Sequence, residues 1–229
     1  MAFAFEIPNL LDICGKFQCG PELQALAAEN LPPSEFINTL QQGKKSLEAV
    51  QSLARMMPDE KSVEWAVQSA KMGGEATGLS DEEMKALDAA MGWAQNPGAE
   101  AQAAALTAAQ GLPASSPSYW AANAAGFAQP ATDLASPELA AMAGDASSNF
   151  AAGTVLLAAG QAAGYPAEIP QMALDLPTAE AVAEQAMGEV AAMPEGTALT
   201  PKQLEETAKL LEPFIQNGLE IAKTVPGWS

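Results

Sequence analysis

The chain has 229 residues, with 28 acidic against 10 basic, no histidine and a formal net charge of −18. A surface so acidic repels phosphate backbones and anionic headgroups, which argues against nucleic-acid binding. Lacking histidine, the chain can hold no Ser-His-Asp triad, no imidazole general base and no histidine metal ligand.

Apolar residues make up 48% of the chain and aromatic residues only 6%. The apolar content is mostly alanine and leucine, and β-branched residues are scarce. Alanine is the best helix former, so the expectation is an all-α protein of eight to ten helices, stacked as antiparallel hairpins in a helical-repeat-like array or orthogonal bundle. Three parts are expected: an apolar arm over 1–31, a right-handed hairpin array over 32–128, and an acidic helical second half over 129–229 that either packs on the first or stands looser. No window is apolar and long enough for a membrane span; 150–163 comes closest and reads as a buried helix. The opening residues lack the positive start of a signal peptide, so a cytoplasmic setting is expected.

The arm gathers Phe3, Phe5, Ile7, Leu10, Leu11, Ile13 and Phe17, interrupted by Pro8 and Gly15. Pro21 opens a short helix. Cys14 and Cys19 lie five apart and cannot complete a tetrahedral zinc site without further ligands. They read as two thiols, one of them buried; a disulfide stays open, although nothing marks a secretory setting.

The stretch from Pro32 to Met72 holds five of the ten basic residues and reads as three short helices. Ser34 is the expected cap of the first, and Gly43 ends it. The second spans 44–57, and Pro58 stops it. Asp59 caps the third, which carries Trp65 and ends at Gly73 and Gly74. The short connections imply that neighbouring helices fold back on each other. Ser80 and Glu83 form a capping box for a helix to Gln95 that carries Trp93. An alanine-rich helix follows over 99–110, and Ser116 with Pro117 opens another bearing Trp120.

A linker is expected over 129–136, then a helix broken or kinked at Gly144 and a small-residue helix over 147–163. Residues 164–177 read as extended and 178–193 as an acidic helix. Thr200 and Gln203 form a second capping box around Pro201, opening a helix to Gln216 that buries Leu204, Leu210, Leu211, Phe214 and Ile215. The interval between Lys85 and Lys202 carries eleven carboxylates and no basic residue. It reads as a solvated acidic face or as a surface for a basic partner.

No motif for chemistry emerges. Asp81, Glu82 and Glu83 are first-turn acids rather than metal ligands. Glu180, Glu184 and Glu189 share part of a helical face but lack the histidines of two-metal carboxylate bundles. Gly73-Gly74 and Gly15-Lys16 do not extend to a phosphate loop. Ser116 and Ser147 have no histidine partner and no Ser-x-x-Lys motif occurs. The ten methionines read as core filling rather than as an adaptable groove. Trp65, Trp93 and Trp120 recur in successive hairpins as core anchors, with a pocket lining as the other reading; their indole N–H groups are expected to find carbonyls at helix ends. Phe3, Phe5, Phe17 and Trp228 are the candidate interaction residues, able to dock on the chain's own body or on a partner. No catalytic, cofactor-binding or metal-binding residue is expected.

One stretch resembles a known family. Ala49, Leu53, Ala54 and Pro58 match an A-x-x-x-L-A-x-x-x-P helix, and Trp65 the tryptophan-bearing helix after it. Trp93 and Pro97 match a W-x-x-x-P helix pair that ends in a helix like that of Trp120. The alanine-rich residues 149–163 also fit. Over about 32–163 the chain is thus similar to a bacterial all-helical family of unknown function. It departs at Glu100 and Gln102, where arginine is usual, and at the single Trp65, where a pair is common. The resemblance implies an all-helical fold, no known catalytic residues, and an association of some members with secretion-system components.

The expected function is a non-enzymatic protein-interaction module: an adaptor, chaperone or structural accessory in a bacterial multi-protein assembly, with a secretion-related assembly as one candidate and a protein partner for which a basic surface is one reading. A binder of a small apolar ligand between the alanine-rich helices and the tryptophans is the alternative. A hydrolase or metalloenzyme has no motif behind it. The oligomeric state stays open.

Overall fold

The computed structural model describes residues 5–17, 19–75, 77–128, 137–164 and 201–228. Ten helices and no strand occur among them: α1 (Leu10–Gly15), α2 (Pro21–Ala28), α3 (Pro33–Gln42), α4 (Ser46–Met56), α5 (Asp59–Gly74), α6 (Asp81–Gln95), α7 (Ala99–Ala109), α8 (Pro117–Gly126), α9 (Pro137–Ala162) and α10 (Pro201–Ala222). The all-α expectation is met. Phe3, the linker 129–136, the segment 165–177, the helix expected over 178–193 with Glu180, Glu184 and Glu189, and Thr200 lie outside the described residues.

Capping chemistry sets most helix ends. At α6, Ser80 accepts from the Glu83 N–H and Glu83 reaches back to the Ser80 N–H, closing the expected box. Ser116 caps α8, with Pro117 in the first turn. Two caps differ from expectation. Helix α3 starts one residue earlier, with Pro32 as cap and Pro33 inside, so Ser34 is already helical. Pro58, not Asp59, flanks α5, and Asp59 joins Glu60 as a first-turn acid. Proline is at home in both places because the first helical N–H groups have no partner to lose. After Gln42 the chain closes with Lys45 N–H on the Leu40 carbonyl and Lys44 N–H on that of Gln41. That pattern needs a left-handed residue, and Lys44 supplies it at φ 58° in place of the usual glycine.

Two further expectations change. Helix α9 runs unbroken for 26 residues through Gly144. Gly73 and Gly74 end α5, as expected, and form its last turn. Gly73 is where α5 crosses α9: a Cβ there would stand 2.7 Å from the Ala158 carbonyl oxygen. Helix α10 continues past Gln216 to Ala222, with Pro213 inside it. Of its expected core residues, Leu211, Phe214 and Ile215 are buried, Leu210 is half-buried, and the side chain of Leu204 is not described.

Helices α5 and α9 form a central pair, and each has a core on either side. One core joins Leu10, Ile13 and Leu23 of the arm to Phe36, Ile37, Leu40, Val50, Leu53, Trp65, Val155, Ile215 and Trp228. The other joins Val63, Val67, Leu87, Trp93, Trp120, Phe150 and Leu157. Each fully buried side chain of this size is worth about 1.5–3 kcal/mol relative to exposure. Helix α9 is buried on almost every face from Ala146 to Gly160, as expected of a helix apolar all round. Pairs α3–α4, α5–α6, α6–α7 and α7–α8 fold back as hairpins. Helices α4 and α5 do not: they part at the Met57-Pro58 corner, and both pack on α9. The described part of the second half completes the cores of the first, since α9 packs on α4, α5 and α8 and α10 on α3, α4 and α5.

Candidate functional site

The corner at Pro58 leaves a gap that the arm only partly fills. A cleft of about 630 Å³ opens there. Phe5, Pro8, Asp12, Ile13 and Lys16 line it from the arm, and Asp145 and Ser148 from α9. Arg55, Met57, Pro58, Asp59 and Glu60 form the α4–α5 corner itself. The floor is apolar. The rim carries four carboxylates, Asp12, Asp59, Glu60 and Asp145, against two cations, Lys16 and Arg55, for a net of two negative charges.

Both cations are already engaged. Lys16 Nζ pairs with Asp145 at 2.8 Å. Arg55 is only 8% exposed and lies in the last turn of α4. Its guanidinium donates to the Gln51 carbonyl at 2.9 Å, to Gln51 Oε1 at 2.6 Å, and to Asn149 Oδ1 on α9. Its Nε–H has no partner among the described residues. The ring of Phe17 lies beneath the guanidinium, with its centroid 5.3 Å from Cζ. Burial pushes the group down to about 10, with Asp145 pulling the other way, so it stays charged at neutral pH. Asp12 and Glu60 stand in the first turns of α1 and α5, where the helix dipole favours them. Neither has a basic side chain within ion-pair distance among the described residues.

The arm is therefore fastened to the body by the cleft it helps to form. Lys45 Nζ adds a second clasp on Glu22 of α2 at 2.9 Å. Next to the cleft, Cys14 and Cys19 are free thiols, Cys14 buried and Cys19 half-exposed. The Cys19 sulfur donates to that of Cys14 at 2.7 Å. Burial first, then that hydrogen bond and the charge of Cys14, push the Cys19 thiol up to about 12.

The candidate interaction residues separate. Phe5 lines the cleft and Phe17 packs on the arginine at its edge. Trp228 is 3% exposed and belongs to the arm-side core, docked on the chain's own body. Trp65, Trp93 and Trp120 are all buried in the two cores, and none lines the cleft. The expectation for their N–H groups holds in part. Trp120 donates to the Ala114 carbonyl, just before α8, at 2.6 Å. Trp65 donates at 2.9 Å to the carbonyl of Phe214, inside α10 rather than at a helix end. The Trp93 N–H is buried without a partner among the described residues.

The acidic interval is also less isolated than its sequence suggests. Asp145 pairs with Lys16, and Asp88 with Lys71 at 3.7 Å, so lysines from outside the interval reach in. Eight of the nine lysines make ion pairs within the chain. Most of the lysines are thus engaged within the chain, which as a whole carries 28 acids against 10 bases.

Among the described residues, no three acidic or cysteine side chains converge as a metal site would require. No helix among them is long and apolar enough to cross a membrane. No curated protein and no solved structure matches the chain. Residues 36–177 match a family of unknown function, DUF6931, across most of the helices that build both cores. By that match, the chain belongs to the DUF6931 family.

Proposed function

We propose that the protein is a non-enzymatic interaction module, an adaptor, chaperone or structural accessory, whose cleft receives a basic, partly apolar segment of a partner protein. The supporting observation is the cleft's imbalance. Its two cations are spent on Asp145, Gln51 and Asn149, while Asp12 and Glu60 stand at the rim of an apolar floor with no basic side chain within ion-pair distance among the described residues. A lysine or arginine side chain suits such a place: its stem covers apolar surface while its head meets the carboxylates. The association of some relatives with bacterial secretion-system components, implied by the sequence resemblance, gives the assembly a first candidate.

Calorimetric titration with a lysine-rich amphipathic peptide, and with the same peptide carrying glutamate in place of lysine, tests the reading. The lysine peptide is expected to bind and to weaken steadily with added salt, because exposed charges are screened over about 10 Å at 0.1 M. Equal binding of the two peptides, or binding unchanged at high salt, contradicts it.

A further inference from the structure

We propose that Cys14 and Cys19 are a redox-active pair, closing to a reversible disulfide that locks the segment carrying Lys16 and Phe17 against the cleft. Three observations carry this. The two sulfurs stand 2.7 Å apart, about 0.65 Å beyond the 2.05 Å of a formed bond. Cys14 sits in the last turn of α1 and Cys19 just before the Gly20 cap of α2, so a bond would staple two helix ends that already pack together. The residues between them hold the cleft's edge: Lys16 pairs with Asp145 of α9, and Phe17 lies under Arg55 of α4.

The accessibility of the two thiols sets the order of events. The oxidant is a small disulfide such as oxidised glutathione. Cys19, half-exposed, attacks it as thiolate and expels one glutathione, leaving a mixed disulfide. The buried Cys14 sulfur then attacks the Cys19 sulfur and expels the second glutathione. Two protein thiols lose two electrons, the small disulfide becomes two thiols, and the two cysteine protons end on those thiols. The first step needs the Cys19 thiolate, which burial, Cys14 and Glu48 disfavour and Lys45 favours. Oxidation is therefore slow at neutral pH and speeds up in alkaline solution. The bond itself does not depend on what occupies the cleft.

The test uses the full chain, incubated with oxidised glutathione, alkylated, and read by intact mass and peptide mapping. The expected product is a monomer lighter by two hydrogen atoms, with Cys14 linked to Cys19 and no retained glutathione. The Cys14→Ser variant should stop at a single glutathione adduct on Cys19, and the Cys19→Ser variant, left with the buried Cys14, should stay unmodified over the same time. Trypsin cleavage after Lys16 should slow severalfold in the oxidised chain and recover on reduction. One glutathione on each cysteine of the wild-type chain, or a disulfide between two chains, overturns the pairing. Cleavage at Lys16 that ignores the redox state overturns the lock.

Discussion

Trp65 of α5 donates its indole N–H to the carbonyl of Phe214 in α10, 149 residues further along the chain. The contact depends on an absent side chain. A Cβ on Gly218, one turn on, would stand 2.7 Å from both the Trp65 ring and Leu53 Cδ2. Gly218→Ala is expected to lower stability by about 1–3 kcal/mol through overpacking. Gly92→Ala, where nothing lies within 4 Å, should raise it by about 0.5–1 kcal/mol through helix propensity. Urea unfolding followed by tryptophan fluorescence reads both, and opposite signs are the expected result.

Gly73→Ala places its Cβ against backbone rather than side chain, 2.7 Å from the Ala158 oxygen and 2.8 Å from its Cα. Backbone cannot swing aside, so α5 and α9 must separate along the central pair. A loss of about 3 kcal/mol is expected, at the upper end for overpacking. Both cores share these helices, so fluorescence and far-ultraviolet circular dichroism should report one transition with a lower midpoint.

Arg55→Lys keeps the charge and removes the fork. A lysine cannot span Gln51 and Asn149 together, and its compact ammonium is harder to desolvate than guanidinium. The expected cost is about 1–3 kcal/mol, the range for hydrogen bonds to charged groups. The same denaturation measurement checks it, and an unchanged midpoint would show that the fork contributes nothing.

Glu83 ties two helix starts together. Burial pulls its carboxyl up, but hydrogen bonds from the Ser80 N–H and from the Ser116 and Ser80 hydroxyls outweigh this and hold it below the usual carboxylate range. A carboxyl depressed in the folded state contributes stability above its unfolded value and loses it as pH falls through the folded one. Acid should therefore weaken the fold through this group. Glu83→Gln should cost about 0.5–2 kcal/mol at neutral pH, as a lost cap does, and flatten that part of the acid dependence. Thermal melts across the acid range compare the two chains.

Local signals made the helices legible. Ser80 with Glu83, Ser116 before Pro117 and the run from Val63 to Ala70 carry their structure within a few residues. What stayed hidden depends on partners distant in sequence. Gly73 reads rightly as a helix end, but nothing nearby in sequence shows that Ala158 crosses it. Gly144 reads as a break or a kink, and only the helices packed around α9 show that it continues through. Arg55 reads as one cation in a basic stretch; only the enclosure of α4's last turn by other helices makes it a buried charge. The cleft was invisible for the same reason. It joins residues near 12, 58 and 145, whose spacing follows no local period. Phe5 and Phe17 could be marked from exposure arguments, whereas Asp12, Glu60 and Asp145 gave no local sign.

The most direct measurement is amide chemical-shift mapping of the full chain with the lysine-rich peptide, repeated on Glu60→Lys. The account predicts shifts concentrated at residues 5–16, 55–60 and 145–148, and weaker binding by Glu60→Lys. Shifts spread evenly over the acidic surface, or a variant that binds as well as the wild type, would contradict a docking site at the cleft.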